Sequence, residues 1–411
     1  MLARFADRAE RHERRILPLL ILLAPALRLA ALPILAGPPE SDALAYLAMA
    51  ESLAAGGPMT DIWGQHIFYS AGYPIFLALP VALGVAPLAA ALATNLLLAA
   101  LSAWLLDRLG RALGIGFAAR GLALLLFAVW LPGIQHAALV ARENLSVPLM
   151  LLLAWSSVAM LRGSARAAGV AGASWAAAIL AGGSAIGTIL APFAALWFAR
   201  GRVRQCAMLT AAAALVLAPW AIATTAWVGR PALNSSSGFN LYLGNNPAAT
   251  GRFVSIADTP AGPRWEGMRD GLGELGASEA LGGEARVWAA AHPGKAARLM
   301  LTKLALFWAP NAPDAADFAA SRLLASVRIA EVAQYLMFLV GGLAALAMLP
   351  LRQRTPLAAL IAGYWLVHGL AYIIPRYRDP VMPLLILLCA TLIARLIGST
   401  VRANPTAGAS G

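Results

Sequence analysis

The sequence predicts an all-α protein, a polytopic transmembrane bundle of about 10 to 11 helices with periplasmic loops and juxtamembrane helices. Of its 411 residues, 60% are hydrophobic and 12% are charged, whereas a soluble domain has roughly 45 to 50% apolar and about 25% charged residues. Apolar runs of about 18 residues or more, enough to cross a bilayer as a helix, recur along the whole chain. The net charge of +12 comes from arginine clusters that flank these runs, which indicates topology and not a nucleic-acid partner.

The arginine clusters also orient the helices, because connections rich in Lys and Arg stay on the cytoplasmic side. We assign to that side the N-terminal segment, the C-terminal tail and the basic connections between spans. The basic residues concerned are Arg4, Arg8, Arg11, Arg14, Arg15, Arg108, Arg111, Arg162, Arg166, the stretch from Arg200 to Arg204, Arg352 and Arg354. This assignment predicts a multi-pass membrane protein with both termini in the cytoplasm, and we expect the membrane to be the bacterial inner membrane.

The first predicted span covers residues 17–35. Its basic start is typical of a secretory signal, but an apolar stretch of about 20 residues is too long for a signal core, so we interpret it as a retained helix. The polar loop 36–72 then lies outside. Residues 73–84 are apolar over only about 12 positions, which predicts an interfacial helix, and residues 87–106 make the return crossing.

The next predicted spans are residues 117–131, which exit, and residues 145–161, which return. Because the turns at Arg162 and Arg200 are both basic, an even number of spans must connect them. Residues 167–199 are therefore expected to fold as two short helices with a Gly-rich outer turn between them.

One long polar stretch separates the last spans from the rest. Residues 206–228 lead out to it, and its Gly, Asn, Pro and charged residues predict an external loop or small subdomain. The final spans are residues 327–349, 356–374 and 381–397. The chain is thus divided into an N-terminal transmembrane module with the first periplasmic loop, a large periplasmic loop with a juxtamembrane helix, and C-terminal helices with a cytoplasmic tail: residues 1–228, 229–326 and 327–411.

Ionisable residues concentrate in three segments that this topology places at the outer face: residues 40–46, 136–143 and 376–379. Arg376 and Arg378 oppose the charge bias, and charge at a membrane boundary is costly unless it is paired or used. The fork of N–H donors on a guanidinium matches phosphate oxygens, so an external lipid phosphate is the ligand that they indicate. A lipid-headgroup anchor or an ion pair with Asp379 is the alternative.

Asp42 opens a helical pattern in which Tyr46 lies one turn later on the same face, whereas Glu51 falls roughly 180° around the helix. By spacing alone, Asp42 is a first-turn carboxylate that the helix dipole favours, with Ser41 as the cap. Glu143 could likewise cap the helix that follows it.

Five groups of motifs, in order along most of the chain, resemble those of the GT-C membrane glycosyltransferases. They are Asp42–Tyr46 with Glu51–Gly57 and Tyr69–Pro74, Arg142–Pro148, Gly238–Pro247 with Gly251, His292–Gly294 with Lys303 and Trp308, and Arg376–Pro380 with Pro383. The branch that the motifs resemble is that of the protein O-mannosyltransferases and aminoarabinose transferases. Each motif alone is unspecific, and their shared order points to the superfamily without naming a substrate.

The resemblance implies inverting transfer of a sugar from a polyprenyl-phosphate donor to a lipid, glycan or protein acceptor at the extracytoplasmic face, among membrane lipids. It implies that Asp42 is the general base and that Glu143 is a second catalytic residue, which orients the sugar or acceptor or helps to bind a metal. The implied donor-phosphate residues are Arg376, Tyr377, Arg378, Lys303, His66 and Tyr69, and the implied substrate residues are Tyr46, Tyr73, Asn245 and Asn246. No cofactor is required by this chemistry, and a divalent metal is left open.

For several of these residues a structural role is the alternative. Lys303 could snorkel to lipid headgroups, and Asn245 with Asn246 would suit a turn. A lone histidine such as His66 is more often hydrogen-bonded than a ligand, and Trp63 could stack on a sugar or lie in the aromatic belt.

The chain departs from the family pattern in two places. Phe68 and Tyr69 stand where some relatives carry a Lys, and residues 183–188 lack an Arg-Pro pair that many relatives have.

Two other functions would use the same external arginines. A transporter or flippase of lipid-linked saccharides should have polar or broken helices near the midplane and an internal repeat, and a polysaccharide polymerase or ligase should lack this order of motifs.

Overall fold

The computed structural model describes residues 12–314, 317, 319 and 321–403. This part of the chain folds into sixteen α-helices without a β-sheet. In chain order the helices are α1 Glu13–Leu35, α2 Asp42–Ala54, α3 Gly72–Ala82, α4 Pro87–Ala112, α5 Phe117–Ala128, α6 Leu131–Ala137, α7 Glu143–Met160, α8 Ala165–Ala181, α9 Leu190–Phe198, α10 Arg202–Val228, α11 Ser236–Gly244, α12 Trp265–Ala291, α13 Pro293–Trp308, α14 Arg322–Ala347, α15 Leu351–His368 and α16 Met382–Ala403. The predicted all-helical bundle is confirmed. The N-terminal arginines Arg4, Arg8 and Arg11 lie outside the described residues.

Fewer helices are long enough to cross a membrane than the sequence suggested. Among the described residues, six are long and apolar enough: α1, α4, α7, α10, α14 and the segment Pro375–Ile397. The pair α5 and α6, bent by 54°, would make a seventh. The two short helices expected in 167–199 are present, but α8 has 17 residues and spans roughly 25 Å, short of the ~30 Å hydrocarbon core. Helix α15 is not among the six, because the arginines in its first turn lower its hydropathy.

Small residues let the helices of the bundle pack closely. Ala168, Ala171 and Gly172 on α8 are buried, and α8 packs along α10. A Cβ on Gly172 would collide with the backbone carbonyl of Leu209. Close approach of this kind is how helices associate in a membrane, where burial of apolar surface from water contributes little.

A network of charges ties the start of α1 to α4 and α5. Asp107 is 2% exposed and pairs with both Arg111 and Arg120, and Glu13 pairs with the same two arginines. These contacts account for the buried charges, since each carboxylate faces a guanidinium.

The long polar stretch after α10 folds into helices α11 to α13. Tyr242, Leu243, Ala261, Leu281 and Ala285 form a second hydrophobic cluster there. The stretch is joined to the loop before α16 by a backbone hydrogen bond of 2.9 Å from Ile373 N to the Gly251 carbonyl. This contact helps to set the position of the loop that carries Arg376.

Candidate active site

Arg376 lies between two carboxylates from distant parts of the chain. Its Nη2 is 3.3 Å from Oδ2 of Asp42, and its Nε is 3.3 Å from Oε1 of Glu143. The Nε atom is buried and makes no hydrogen bond, so its contact with Glu143 is an ion pair only. The side chain of Glu143 is 5% exposed, whereas those of Asp42 and Arg376 are 46% and 39% exposed. We call these three residues the Arg376 cluster.

The Arg376 cluster forms where three segments begin. Asp42 is the first residue of α2, and Glu143 is the first residue of α7. Arg376 lies in the 3₁₀ turn Pro375–Val381 that leads into α16. The positive end of a helix dipole favours a carboxylate in the first turn, which suits both acids. Glu51 is exposed while Tyr46 is buried, as the predicted helical pattern requires.

The predicted side-chain caps are wrong. Ser41 occupies the N-cap position of α2, but its side chain makes no capping hydrogen bond, and its φ is 50°, the only positive value at a described residue other than glycine. Helix α7 likewise begins without a side-chain cap. Because a serine at this φ is strained, the surrounding structure must hold Ser41 in place. The strain lies directly next to Asp42.

Three tyrosines stand around Asp42. The ring of Tyr46 packs edge-on against those of Tyr69 and Tyr73, at 5.7 and 5.8 Å between centroids. Burial, followed by the charge of Asp42 and including a hydrogen bond with it, raises the pKa of Tyr69, so its hydroxyl stays protonated. Tyr73 instead donates to Oδ1 of Asn95 at 2.7 Å and is fully buried. Tyr69 therefore borders the Arg376 cluster, and Tyr73 supports it from behind.

Arg142 is a residue of the site that sequence reasoning did not select. Its Nη1 donates to Oγ of Ser70 at 3.0 Å, and its guanidinium lies 5.9 Å from the ring centre of Tyr377. Arg142, Glu143 and Tyr377 line one small cavity together with Tyr364. The available signal was its position immediately before Glu143, at the start of a membrane helix.

The two arginines predicted to act together point in different directions. Arg378 donates to the backbone carbonyls of Phe307 and Ala309, at 3.3 and 2.5 Å, and lies 3.8 Å from the ring centre of Tyr335. It is 7% exposed. Its Nη1 thus fixes the end of α13 against α14, and the structure does not bring Arg378 onto the carboxylates with Arg376.

The ion pair with Asp379 that the sequence left as an alternative is not formed by Arg376 or Arg378, and Asp379 contacts a histidine. Nδ1 of His136 lies 3.6 Å from Oδ2 of Asp379. Both residues border a cavity of about 160 Å³ that also reaches Arg376, Arg378 and Glu331. A polar cavity therefore adjoins the Arg376 cluster on the side of α14.

Lys303, Asn245 and Asn246 lie together in the segment after α10 and not on the carboxylates. Nζ of Lys303 donates to Oδ1 of Asn245 at 3.0 Å. Lys303 is fully buried, and burial lowers its pKa to about 8. Asn246 accepts from Ala248 N at 2.7 Å and donates to the Tyr242 carbonyl at 2.8 Å, which is the contact pattern of a turn.

His66 is also separate from the Arg376 cluster. Its Nδ1 lies 3.0 Å from the Met59 carbonyl and 3.2 Å from Oγ1 of Thr60. It borders a different cleft, between the first loop and α12.

A guanidinium lies between the two carboxylates of the Arg376 cluster. Within the described ranges no group of three or more His, Cys, Asp or Glu side chains is arranged to hold a metal ion. Arg376 is thus a positive partner that the chain itself offers to both acids.

No family profile and no curated protein matches the sequence, but several solved structures match the fold. An oligosaccharyltransferase from Archaeoglobus fulgidus, AglB in complex with an inhibitory peptide and a dolichol-phosphate, aligns with a TM-score of 0.54 over 97% of this chain at 14% identity. The Archaeoglobus fulgidus oligosaccharyltransferase in complex with Zn and sulfate aligns with a TM-score of 0.55 over 94% of this chain at 12% identity.

The chain spans about half the length of these archaeal enzymes, covering 53% and 49% of them. ArnT from Cupriavidus metallidurans bound to undecaprenyl phosphate aligns with a TM-score of 0.45 at 15% identity, over 94% of this chain and 79% of that one. The fold assignment rests on the higher-scoring archaeal structures. This chain has the GT-C fold and is a multi-pass membrane protein, and the branch suggested by its motifs stays a prediction.

Proposed function

We propose that this protein is an inverting glycosyltransferase that moves a sugar from a polyprenyl-phosphate donor to a lipid, glycan or protein acceptor at the extracytoplasmic face of the inner membrane. The observation that carries the proposal is the position of Arg376 between Asp42 and Glu143. One carboxylate is open to solvent, one is buried, and a partly exposed guanidinium joins them. The fold of the archaeal oligosaccharyltransferases supports the same reaction class.

Asp42 is the proposed general base. Its half-exposed carboxylate is accessible to an acceptor hydroxyl, as a base must be. Asp42 takes the hydroxyl proton while the acceptor oxygen forms a bond to C1 of the sugar. The bond from C1 to the phosphate oxygen breaks, and its electron pair leaves with the phosphate.

Arg376 is the proposed ligand of the departing phosphate. Its Nη2 and Nε atoms face the carboxylates of Asp42 and Glu143, and the side chain remains 39% exposed. A guanidinium carries five N–H donors, so several can bind phosphate oxygens without loss of both carboxylate contacts. Donors fixed before the reaction stabilise the charge that grows on the leaving group.

The unequal exposure of the two acids supports inversion. A retaining glycosyl transfer needs a carboxylate nucleophile as well as an acid–base residue. Glu143 is 5% exposed and faces Arg376, so it is not available to attack a sugar carbon. A single displacement with Asp42 as base is the reaction that this arrangement supports, and Glu143 positions Arg376.

The location of the charges favours an enzyme over a transporter of lipid-linked saccharides. Transporter sites lie near the bilayer midplane, at breaks within helices. Here Asp42 and Glu143 begin their helices, and Arg376 precedes α16. We expect charges at these helix ends to lie at the membrane boundary, where a lipid phosphate also lies.

The test is reconstitution of the purified chain in liposomes with synthetic polyprenyl-phosphate sugars and a membrane extract as acceptor. We expect transfer of one sugar, with the anomeric configuration of the product opposite to that of the donor by NMR. Asp42→Asn should abolish transfer and keep donor binding, while Glu51→Gln, on the far face of the same helix, should leave transfer unchanged. Full transfer by Asp42→Asn, or retention at C1, would contradict the proposal.

A further inference from the structure

A second concave surface lies beside the Arg376 cluster and has no role in the reaction described above. It is a groove of about 410 Å³ between the first loop and α12, and we call it the loop groove. Its principal side chains are Trp63, Gln65, His66, Trp227, Arg269 and Asp270.

The walls of the loop groove are held in fixed positions. Helix α12 is broken at Gly273, whose φ of 68° and ψ of 173° are not helical. The next residue, Glu274, accepts hydrogen bonds from the backbone N–H groups of His66 and Ile67, at 3.1 and 3.2 Å. It also accepts from Oγ of Ser235 at 2.9 Å. One carboxylate therefore locks the loop wall to the helix wall.

One buried polar atom of the loop groove has no partner. Gln65 lines the groove and is 7% exposed, and its Nε2 makes no hydrogen bond. Asp61 does not line the groove, but its Oδ1 accepts from the N–H groups of Trp63 and Gln65 and so helps to fix the loop wall. Buried donors are nearly always satisfied, so a ligand that accepts a hydrogen bond from Gln65 is indicated.

The loop groove also presents an aromatic surface that leads towards Asp42. Trp63 is 47% exposed, and its ring is stacked on Tyr69 at 5.9 Å between centroids and 19° between planes. Tyr69 in turn interacts with Asp42. Trp63 thus lies between the groove and Tyr69, and Tyr69 interacts with Asp42, the proposed base.

We propose that the loop groove binds the saccharide part of the acceptor, at sugar residues remote from the attacking hydroxyl. A sugar hydroxyl can accept a hydrogen bond, which matches the unpaired Nε2 of Gln65. The C–H face of a sugar ring suits the exposed ring of Trp63. The identity of the ligand as an acceptor rests on the proposed glycosyltransferase function, which places a base beyond Tyr69.

Charge at the loop groove favours a neutral ligand over a phosphate. Arg269 and Asp270 lie next to each other, with 4.0 Å between Nε and Oδ1. Glu274 adds a further acid to the walls. An anion would meet more negative than positive charge here, unlike at Arg376.

The experiment measures saccharide binding without any donor, so that it does not depend on transfer. The full chain in nanodiscs free of sugar-based detergent is mixed in turn with neutral trisaccharides of glucose, mannose, galactose and N-acetylglucosamine. Saturation-transfer NMR reports binding. We expect at least one trisaccharide to bind, and Trp63→Ala to weaken that binding about tenfold. Trp197→Ala removes an exposed tryptophan of α9 and should have no effect.

Gln65→Met keeps the test informative if Trp63→Ala folds poorly. The variant preserves volume and removes an unpartnered buried amide, so the thermal unfolding temperature should be unchanged or higher while saccharide binding falls about three- to tenfold. Asp42→Asn should bind saccharide normally even though it cannot transfer a sugar. Saccharide binding and sugar transfer are therefore tested separately, so the two proposals can fail independently. The absence of binding by all four trisaccharides, or binding that neither groove variant weakens, overturns the proposal.

Discussion

The guanidinium of Arg376 lies 3.3 Å from the carboxylate of Asp42, although the two residues are 334 positions apart in the sequence. The contact is partly exposed to solvent at both residues. A phosphate that arrives at Arg376 competes for the donors that now face Asp42. Donor binding and the contacts of Asp42 are therefore linked through one side chain.

Replacement of Arg376 tests that link. Arg376→Gln should reduce the transfer rate by about 10² to 10³, because it removes a preorganised donor to the leaving phosphate. Arg376→Lys should recover part of the loss, since it restores the charge but not the fork. The measurement is steady-state transfer from a radiolabelled donor in proteoliposomes. Equal activity of all three proteins would remove Arg376 from the reaction.

Replacement of Arg378 should behave differently from that of Arg376. Arg378→Ala leaves the carbonyls of Phe307 and Ala309 without their donor and opens a gap beside Tyr335, so we expect a loss of roughly 2 to 4 kcal/mol of stability. Scanning fluorimetry should show a lower unfolding temperature, and donor affinity of the folded fraction should be unchanged. A selective loss of donor affinity would instead support the sequence-based role.

Glu143 should act on the reaction through Arg376. Glu143→Gln removes the buried charge that faces Nε of Arg376, so the guanidinium is free to turn away. We expect kcat to fall about tenfold or more with a smaller change in the KM for acceptor. Glu143→Asp keeps the charge and should recover part of kcat. A variant with unchanged kcat would assign Glu143 to packing alone.

For the strained Ser41 we expect a substitution that raises stability. Ser41→Gly removes a Cβ at a φ of 50° and should raise stability by roughly 1 kcal/mol. Ser41→Val should lower stability and activity together, because a β-branched residue adopts this φ at greater cost. Thermal unfolding and transfer assays of the two variants check this. A stabilising valine would mean that the backbone relaxes at this residue without cost.

Lys303 predicts a dependence of stability on pH. Its pKa falls from 10.5 to about 8 because the folded chain buries it. Between these values the unfolded chain holds a proton that the folded chain has released, so wild-type stability rises with pH across this window, by roughly 3 kcal/mol at most. Below pH 8 the full cost of burying the charge remains.

The pH dependence attributed to Lys303 is tested with a variant that lacks its amine and with a matched control. Lys303→Met should lack the rise between pH 8 and 10.5, whereas Lys295→Met, at an exposed position of the same helix, should keep it. Unfolding temperatures in detergent across the window provide the measurement. A parallel pH response of wild type and Lys303→Met would contradict the assignment.

The sequence was sufficient to predict the helical bundle and the segments that form the Arg376 cluster. Apolar runs define helices by length and composition, and parity of the arginine-rich connections assigned residues near 42, 143 and 376 to one face. It could not predict that Arg376 and Arg378 diverge, because the two donors separate only in the 3₁₀ turn Pro375–Val381 and the carbonyls that hold Arg378 come from α13.

Arg28 shows another limit of sequence reasoning. An arginine within the first apolar run is a signal, since charge inside a span is rarely without purpose. Its partners, however, are the carbonyls of Ala24, Phe127 and Gly133, at 3.0, 3.4 and 3.0 Å. Two of those carbonyls flank the bend between α5 and α6, and no sequence pattern forecasts which backbone groups a bend sets free.

The contact between Arg376 and the two carboxylates also has a consequence for the order in which the protein matures. A ribosome delivers Asp42 and Glu143 to the membrane before it delivers Arg376, which lies just before α16. Until that segment has been made, the two acids lack the guanidinium that lies between them. We therefore expect the Arg376 cluster, and with it the proposed transfer, to arise only after the segment that carries Arg376 has entered the membrane.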